Sequence, residues 1–184
     1  MTPGMGRLAK LATATAVAAC LSATSALGQS VHLKPPNRNP SFTDLGLALQ
    51  AAGNLAGLGN GDVVVTLTAQ ADVTAVCANR GRNEPPGQNP APITVTGAQA
   101  IPEEEIKNGN VSFNVQTRSP VTPIPGAPDC PNPNWTESIT DLAFTSALIV
   151  VEQGMQVVLE VSCVFASPTD NGAVPSAEVT CEVS

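Results

Sequence analysis

The chain contains no tyrosine, one tryptophan and one histidine, and only 12% of its residues are charged. Each scarcity closes off a class of chemistry. Ser-His-Asp or Cys-His catalysis needs an imidazole held rigidly by the fold. The only histidine, His32, stands in a stretch broken by Pro35-Pro36-Asn37 and Asn39-Pro40, where a solvent-exposed residue is expected. Sugar-binding modules stack rings on exposed aromatics, yet Phe113, Phe144 and Phe165 lie among apolar strand residues and are expected in the core. Lys and Arg number eight against 15 Asp and Glu. Nucleic acid and anionic membranes both require basic patches, so neither is an expected partner.

Other absences narrow the field further. No segment after the N-terminal region approaches the roughly 20 apolar residues of a membrane helix; Leu142 to Val151 is short and contains Thr145 and Ser146. Gly53, Gly57, Gly59 and Gly61 are followed by no Gly-Lys-Ser/Thr, which excludes a P-loop. Asp170-Asn171-Gly172 reads as a turn rather than a calcium loop. Carboxylate hydrolysis would need two acids across a cleft. Glu137, Asp141, Glu152 and Glu160 lie in strand segments; Glu152 and Glu160 fall at solvent-facing parity, surface charge is the expected reading, and Asp141, set among Ile139, Leu142 and Phe144, reads as a hydrogen-bonded structural residue. No catalytic residue, cofactor or metal is therefore assigned.

What is present begins with an export signal. Arg7 and Lys10 precede an uncharged, Ala-rich run from Leu11 to Leu21. Ala26-Leu27-Gly28 then suits signal peptidase, making 1–28 a signal peptide and Gln29 the first mature residue. Val17-Ala18-Ala19-Cys20 offers an alternative, a lipobox in which Cys20 would carry lipid and the protein would be a surface lipoprotein. Small apolar residues continue past Cys20 to the better site, so release from the cell is the favoured expectation. Cleavage after Gly28 leaves six basic residues against 15 acidic ones, a net charge near −9.

The cysteines agree with export. Apart from Cys20 there are four, Cys77, Cys130, Cys163 and Cys181, and an even count in a secreted chain reads as two disulfides. Without C-x-x-C spacing or a second histidine, zinc is not expected. Strands at 155–165 and 177–184, joined around Asn171-Gly172, would place Cys163 across from Cys181. Cys77 then pairs with Cys130, stapling the loops at 79–91 and 119–134, although four cysteines allow three connectivities. Trp135, five residues beyond Cys130, is expected to pack on that bridge.

Period-two alternation sets the fold class. Val63, Val65, Leu67, Ala69, Ala71, Val73, Ala75 and Cys77 are apolar and all odd-numbered, which puts them on one buried face of a strand or bulged pair of strands. Similar alternation recurs at Ile93–Val95, Val111–Val115, Val157–Phe165 and Val179–Val183. Trp135 to Val151 changes parity along its length, which predicts a bend or bulge. Leu45, Leu47, Leu49 and Ala51 suggest a first strand, followed by a glycine-rich connection over 53–61. The expectation is one all-β domain over 44–184, an immunoglobulin-like β-sandwich of about seven strands, preceded by an extended arm at 29–43.

The stretch from Gly126 through Cys130-Pro131-Asn132-Pro133-Asn134-Trp135-Thr136-Glu137 to Ala147, with Lys107-Asn108-Gly109-Asn110-Val111-Ser112-Phe113, resembles a signature of small, uncharacterised secreted proteins of bacteria and some archaea. The resemblance implies export and a β-sandwich and carries no named activity. The resulting expectation is a non-enzymatic extracellular or cell-surface protein that contacts a partner through its Pro-rich loops or outer strand faces. The alternative is a structural subunit that self-associates, with the arm added to a neighbour's sheet edge; a carboxylate hydrolase ranks last.

Overall fold

The odd-numbered apolar residues from Val63 to Cys77 do line one buried face of a single strand. This is seen in a computed structural model that describes residues 1, 30–35, 38–81, 91–124, 130 and 133–184. The expected signal peptide with Cys20, and the tips of the 79–91 and 119–134 loops, lie outside the described residues. In chain order the strands are β1 (His32–Leu33), β2 (Ser41–Asp44), β3 (Leu49–Ala56), β4 (Val63–Asn79), β5 (Ile93–Ile101), β6 (Val111–Gln116), β7 (Trp135–Gln153), β8 (Gln156–Phe165), β9 (Gly172–Ala173) and β10 (Val179–Val183). The only helical pieces among the described residues are single 3-10 turns at Glu103–Glu105 and Ser176–Glu178.

These strands form two antiparallel sheets. One runs β10-β8-β7-β4-β5; in the other, β3 pairs with β6 on one side and with β1 and β2 on the other, and β9 extends β2. Their inner faces share one core, in which Phe42 of the second sheet meets Phe165 of the first edge-on at 5.2 Å between ring centroids. Edge-to-face contact suits the quadrupoles of the two rings. The remaining core is largely Val, Leu, Ile and Ala.

The 17 residues of β4 pair with the 19 of β7, and the two extra residues are bulges. Thr145 has no partner between the pairs Gln70–Ser146 and Ala71–Phe144, and Thr140 has none between Thr74–Asp141 and Ala75–Ile139. Each bulge reverses which parity faces inward. Ile139 is inward, then Leu142 and Phe144, then Ala147, Ile149 and Val151. Both threonine hydroxyls donate across the strand at the step, Thr140 Oγ1 to Thr74 O (3.1 Å) and Thr145 Oγ1 to Gln70 O (3.4 Å). Burying Leu142 and Phe144 is worth about 1.5–3 kcal/mol each, against about 1 kcal/mol for a ladder hydrogen bond. Burial wins, and the bulges follow.

Four expectations are corrected by the structure. The arm at 29–43 is not separate from the domain: β1 and β2 pair with β3, and Val31, Leu33 and Phe42 are buried. Their alternation at 31, 33 and 42 is masked in sequence by the intervening prolines. The strand expected to open at Leu45 is β3 and begins at Leu49; Leu45 is exposed in the β2–β3 turn, and the strand runs through Gly53 to Ala56. The β8–β10 connection is no simple hairpin, because it detours to add β9 beside β2. With these short strands the count among the described residues is ten rather than about seven.

On one side the two sheets come close enough to touch. Arg118 N donates to Thr96 O (3.1 Å), and the Gln99 side-chain oxygen accepts from Asn114 N (2.8 Å), so the edge of β5 is covered by β6. Gly97 makes this approach possible, since a Cβ there would lie 1.9 Å from Gln116 O. Gly97→Ala must push the strands apart and is expected to cost about 3 kcal/mol, the upper end of overpacking. Urea denaturation of the variant checks this, with Gly61→Ala as a comparison where nothing lies within 4 Å but φ is +109°.

Candidate functional site

Beyond the reach of β5 and β8, residues 72–79 of β4 and 135–144 of β7 continue as a two-stranded ribbon. A disulfide closes its far end. Cys77 bonds Cys130 with Cα atoms 5.7 Å apart, joining β4 to the segment that precedes β7. Directly opposite Cys77 stands Glu137. Its Oε2 accepts from Ile124 N (3.4 Å), while Oε1 is buried with no hydrogen-bond partner among the described residues. The carboxylate holds the end of the 117–124 segment at the ribbon, where Ile124 is buried, while Thr117 N and Arg118 N fasten its start to Leu49 O and Thr96 O.

That segment and β5 frame a cleft of 300 Å³ lined by Ile93, Val95, Pro120, Val121 and Ile124, with Arg118 among its lining residues. Val121 is 82% exposed. Trp135, opposite Asn79 and diagonal to Cys77 on the same face, is half-buried at the ribbon's end.

The second disulfide serves the fold. Cys163 and Cys181 face each other in the β8–β10 register, with Cα atoms 4.1 Å apart. The hydrogen bonds to β8 run through even-numbered residues at this end of the chain, as when Ser184, just past β10, and Glu160 exchange both. Cys181 therefore occupies a non-hydrogen-bonded position, where antiparallel strands come closest.

The carboxylates considered from sequence do not converge. Asp141 sits next to the Thr140 bulge and accepts from Asn171 Nδ2 (3.2 Å); Glu152 and Glu160 are half-exposed on separate strands of the outer face. His32 is exposed, and its ring Nδ1 hydrogen-bonds Ser30 O (2.7 Å). Among the described residues no three His, Cys, Asp or Glu side chains gather as metal ligands, and no helix is long and apolar enough to cross a membrane.

Sequence reasoning passed over the buried polar residues that join the layers. Asp44 is only 3% exposed; its Oδ1 accepts from Gly46 N (2.8 Å) and its Oδ2 from the Thr169 hydroxyl. Thr169 Oγ1 in turn accepts from Phe144 N (2.9 Å), and Leu142 N donates to Gly46 O (2.8 Å). This seam satisfies the edge of β7 between its two bulges, where β8 does not reach. Gln153 likewise fastens the 59–61 loop through three hydrogen bonds of its side-chain amide. Asp44 and Thr169 lie far apart in sequence, and neither sits in a motif; only the Asp-x-Gly turn at 44–46 hints at the first.

No family model matches the chain, and no curated protein or solved structure matches it significantly. The resemblance around Gly126–Ala147 thus has no family model behind it, and no functional residue is transferred. Thr169→Val keeps the shape of the side chain but leaves the Asp44 carboxylate and the Phe144 N–H without their partner. A loss of about 3 kcal/mol in chemical denaturation is expected, against about 1 kcal/mol for Thr169→Ser, which keeps the hydroxyl.

Proposed function

We propose that this is an exported, non-enzymatic binding module with an immunoglobulin-like sandwich architecture, which engages an extracellular or cell-surface partner through its stapled end. Two antiparallel sheets around one core and two disulfides support the architecture. The likeness is to the layering rather than to antibody domains, because Cys163–Cys181 lies within one sheet instead of bridging two. Disulfides are compatible with an oxidising compartment, which supports export.

The observation that carries the binding reading is the fixed frame of the cleft. Recognition surfaces on sandwich domains gather on loops that a rigid scaffold positions. Here the Glu137–Ile124 hydrogen bond anchors such a segment beside an apolar cleft with an exposed Val121, and the Cys77–Cys130 bond ties Cys130, six residues further along the chain, to the same ribbon. Self-association through the arm is not carried forward, since its residues already pair with β3.

Fluorescently labelled protein titrated onto cells and envelope fractions of the producing organism tests this. Saturable binding that falls at least tenfold with Val121→Glu is expected, because the exposed side chain can change without disturbing the fold. Absence of saturable binding, or binding indifferent to Val121→Glu, would overturn the reading. Removing the staple with Cys77→Ala and Cys130→Ala should also cost about 4 kcal/mol of stability. The Cys163–Cys181 pair should cost about 3 kcal/mol, because it closes the shorter loop of 18 residues rather than 53.

A further inference from the structure

The opposite side of the molecule, away from the β5–β6 contact, is open. There β10 is the last strand of its sheet, and β1 borders the other sheet, with Arg38 to Pro40 leading into β2. Val183 has the inward parity of its neighbours: its partner Val161 is fully buried, yet Val183 is 57% exposed. The inner face of β10 thus passes from buried Val179 through half-buried Cys181 to uncovered Val183. Two clefts lie along it. One, of 480 Å³, is lined by Pro40, Phe42, Val174 and Val179; the other, of 330 Å³, by Leu33, Pro35 and Val183; Arg38 lines both.

The backbone of β10 is open in the same direction. Even-numbered residues at this end of the chain bond to β8, as Ser184 does to Glu160 and Glu178 O to Ala166 N. By the alternation of an antiparallel ladder, Val179, Cys181 and Val183 aim their N–H and C=O groups away from β8. Among the described residues no hydrogen bond reaches them from the other side, and Arg38 makes no ion pair.

The geometry points to an extended peptide segment of a partner protein, added to β10 as a further strand, with the side-chain pattern apolar–x–acidic–x–apolar. A strand pairing with β10 would set three inward side chains opposite Val179, Cys181 and Val183. The outer two stand about 13 Å apart at roughly 3.3 Å per residue, and fall into the two clefts. The middle one meets Arg38, a guanidinium with no ion pair among the described residues and suited to a carboxylate. The pattern is symmetric, so it reads the same in parallel or antiparallel pairing. This surface does not include the cleft beside Val121, so the inference goes beyond the stapled-end reading and stands or falls separately.

The test is an amide NMR titration of the 15N-labelled protein with the capped peptide Thr-Val-Thr-Glu-Thr-Val-Thr and its central Lys counterpart. Saturable shifts confined to Val179, Cys181, Val183 and the segment around Arg38 are expected with the Glu peptide. Binding should weaken at least tenfold with the Lys peptide, with Arg38→Glu and with Val183→Pro. The proline removes an outward N–H and leaves the β8 ladder intact, and Arg38→Glu changes only an exposed side chain, so one variant remains informative if the other misfolds. No shifts at these amides at millimolar peptide, or equal binding of the Glu and Lys peptides, would overturn the proposal. So would a dimer in sedimentation that Val183→Pro abolishes, because the occupant would then be a second copy of the chain.

Discussion

The pairing of β4 with β7 organises nearly everything else. β4 supplies an unbroken face of eight odd-numbered apolar residues from Val63 to Cys77, and it can do so only as a straight, regular strand. β7 carries its apolar residues in three blocks of alternating parity, and so the pair must absorb two extra residues on the β7 side. Two bulges cost ladder hydrogen bonds, partly recovered by the Thr140 and Thr145 hydroxyls, and they return two large side chains to the core. The ribbon then outruns its neighbours, so the edge of β7 between the bulges needs other partners. Gly46, Thr169 and the Asp44 carboxylate behind Thr169 meet that need.

The same asymmetry gives the molecule a closed side and an open one. At the closed side Gly97 admits the Gln116 carbonyl, and Gln99 bridges the remaining gap to β6. At the open side stands β10, with its inner face partly uncovered, and among the described residues Arg38 makes no ion pair. Sheet edges carry unsatisfied backbone groups that proteins ordinarily cover or charge. Here one edge is covered, and the other is short and has no proline or lysine along Val179–Val183.

The sequence made much of this legible wherever a signal repeats locally. Alternation from Val63 to Cys77 marks β4, and the shifting pattern over Trp135 to Val151 announces a bend or bulge, although that there are two, at Thr140 and Thr145, emerges only from the pairing with β4. The Cys163–Cys181 register follows from hairpin geometry. What stayed hidden depends on contacts distant in sequence. Val31, Leu33 and Phe42 read as an arm because prolines interrupt their pattern, although β3 pairs with both flanks. Thr169 gives no local sign that it holds Asp44 across 125 residues. Arg38 looks like an ordinary surface cation until β10 is placed beside it. The cleft at Val121 is legible only in part: the Cys77–Cys130 staple could be argued from strand reversals, whereas the Glu137–Ile124 contact could not.

The most direct test of this account is the register of the β4–β7 ribbon, measured by interstrand NOEs in solution. The account predicts Ala75 opposite Ile139, Val73 opposite Leu142 and Leu67 opposite Ile149, with Thr140 and Thr145 unpaired. A single continuous register, which would set Ala75 opposite Asp141 and turn Leu142 and Phe144 to solvent, would contradict it.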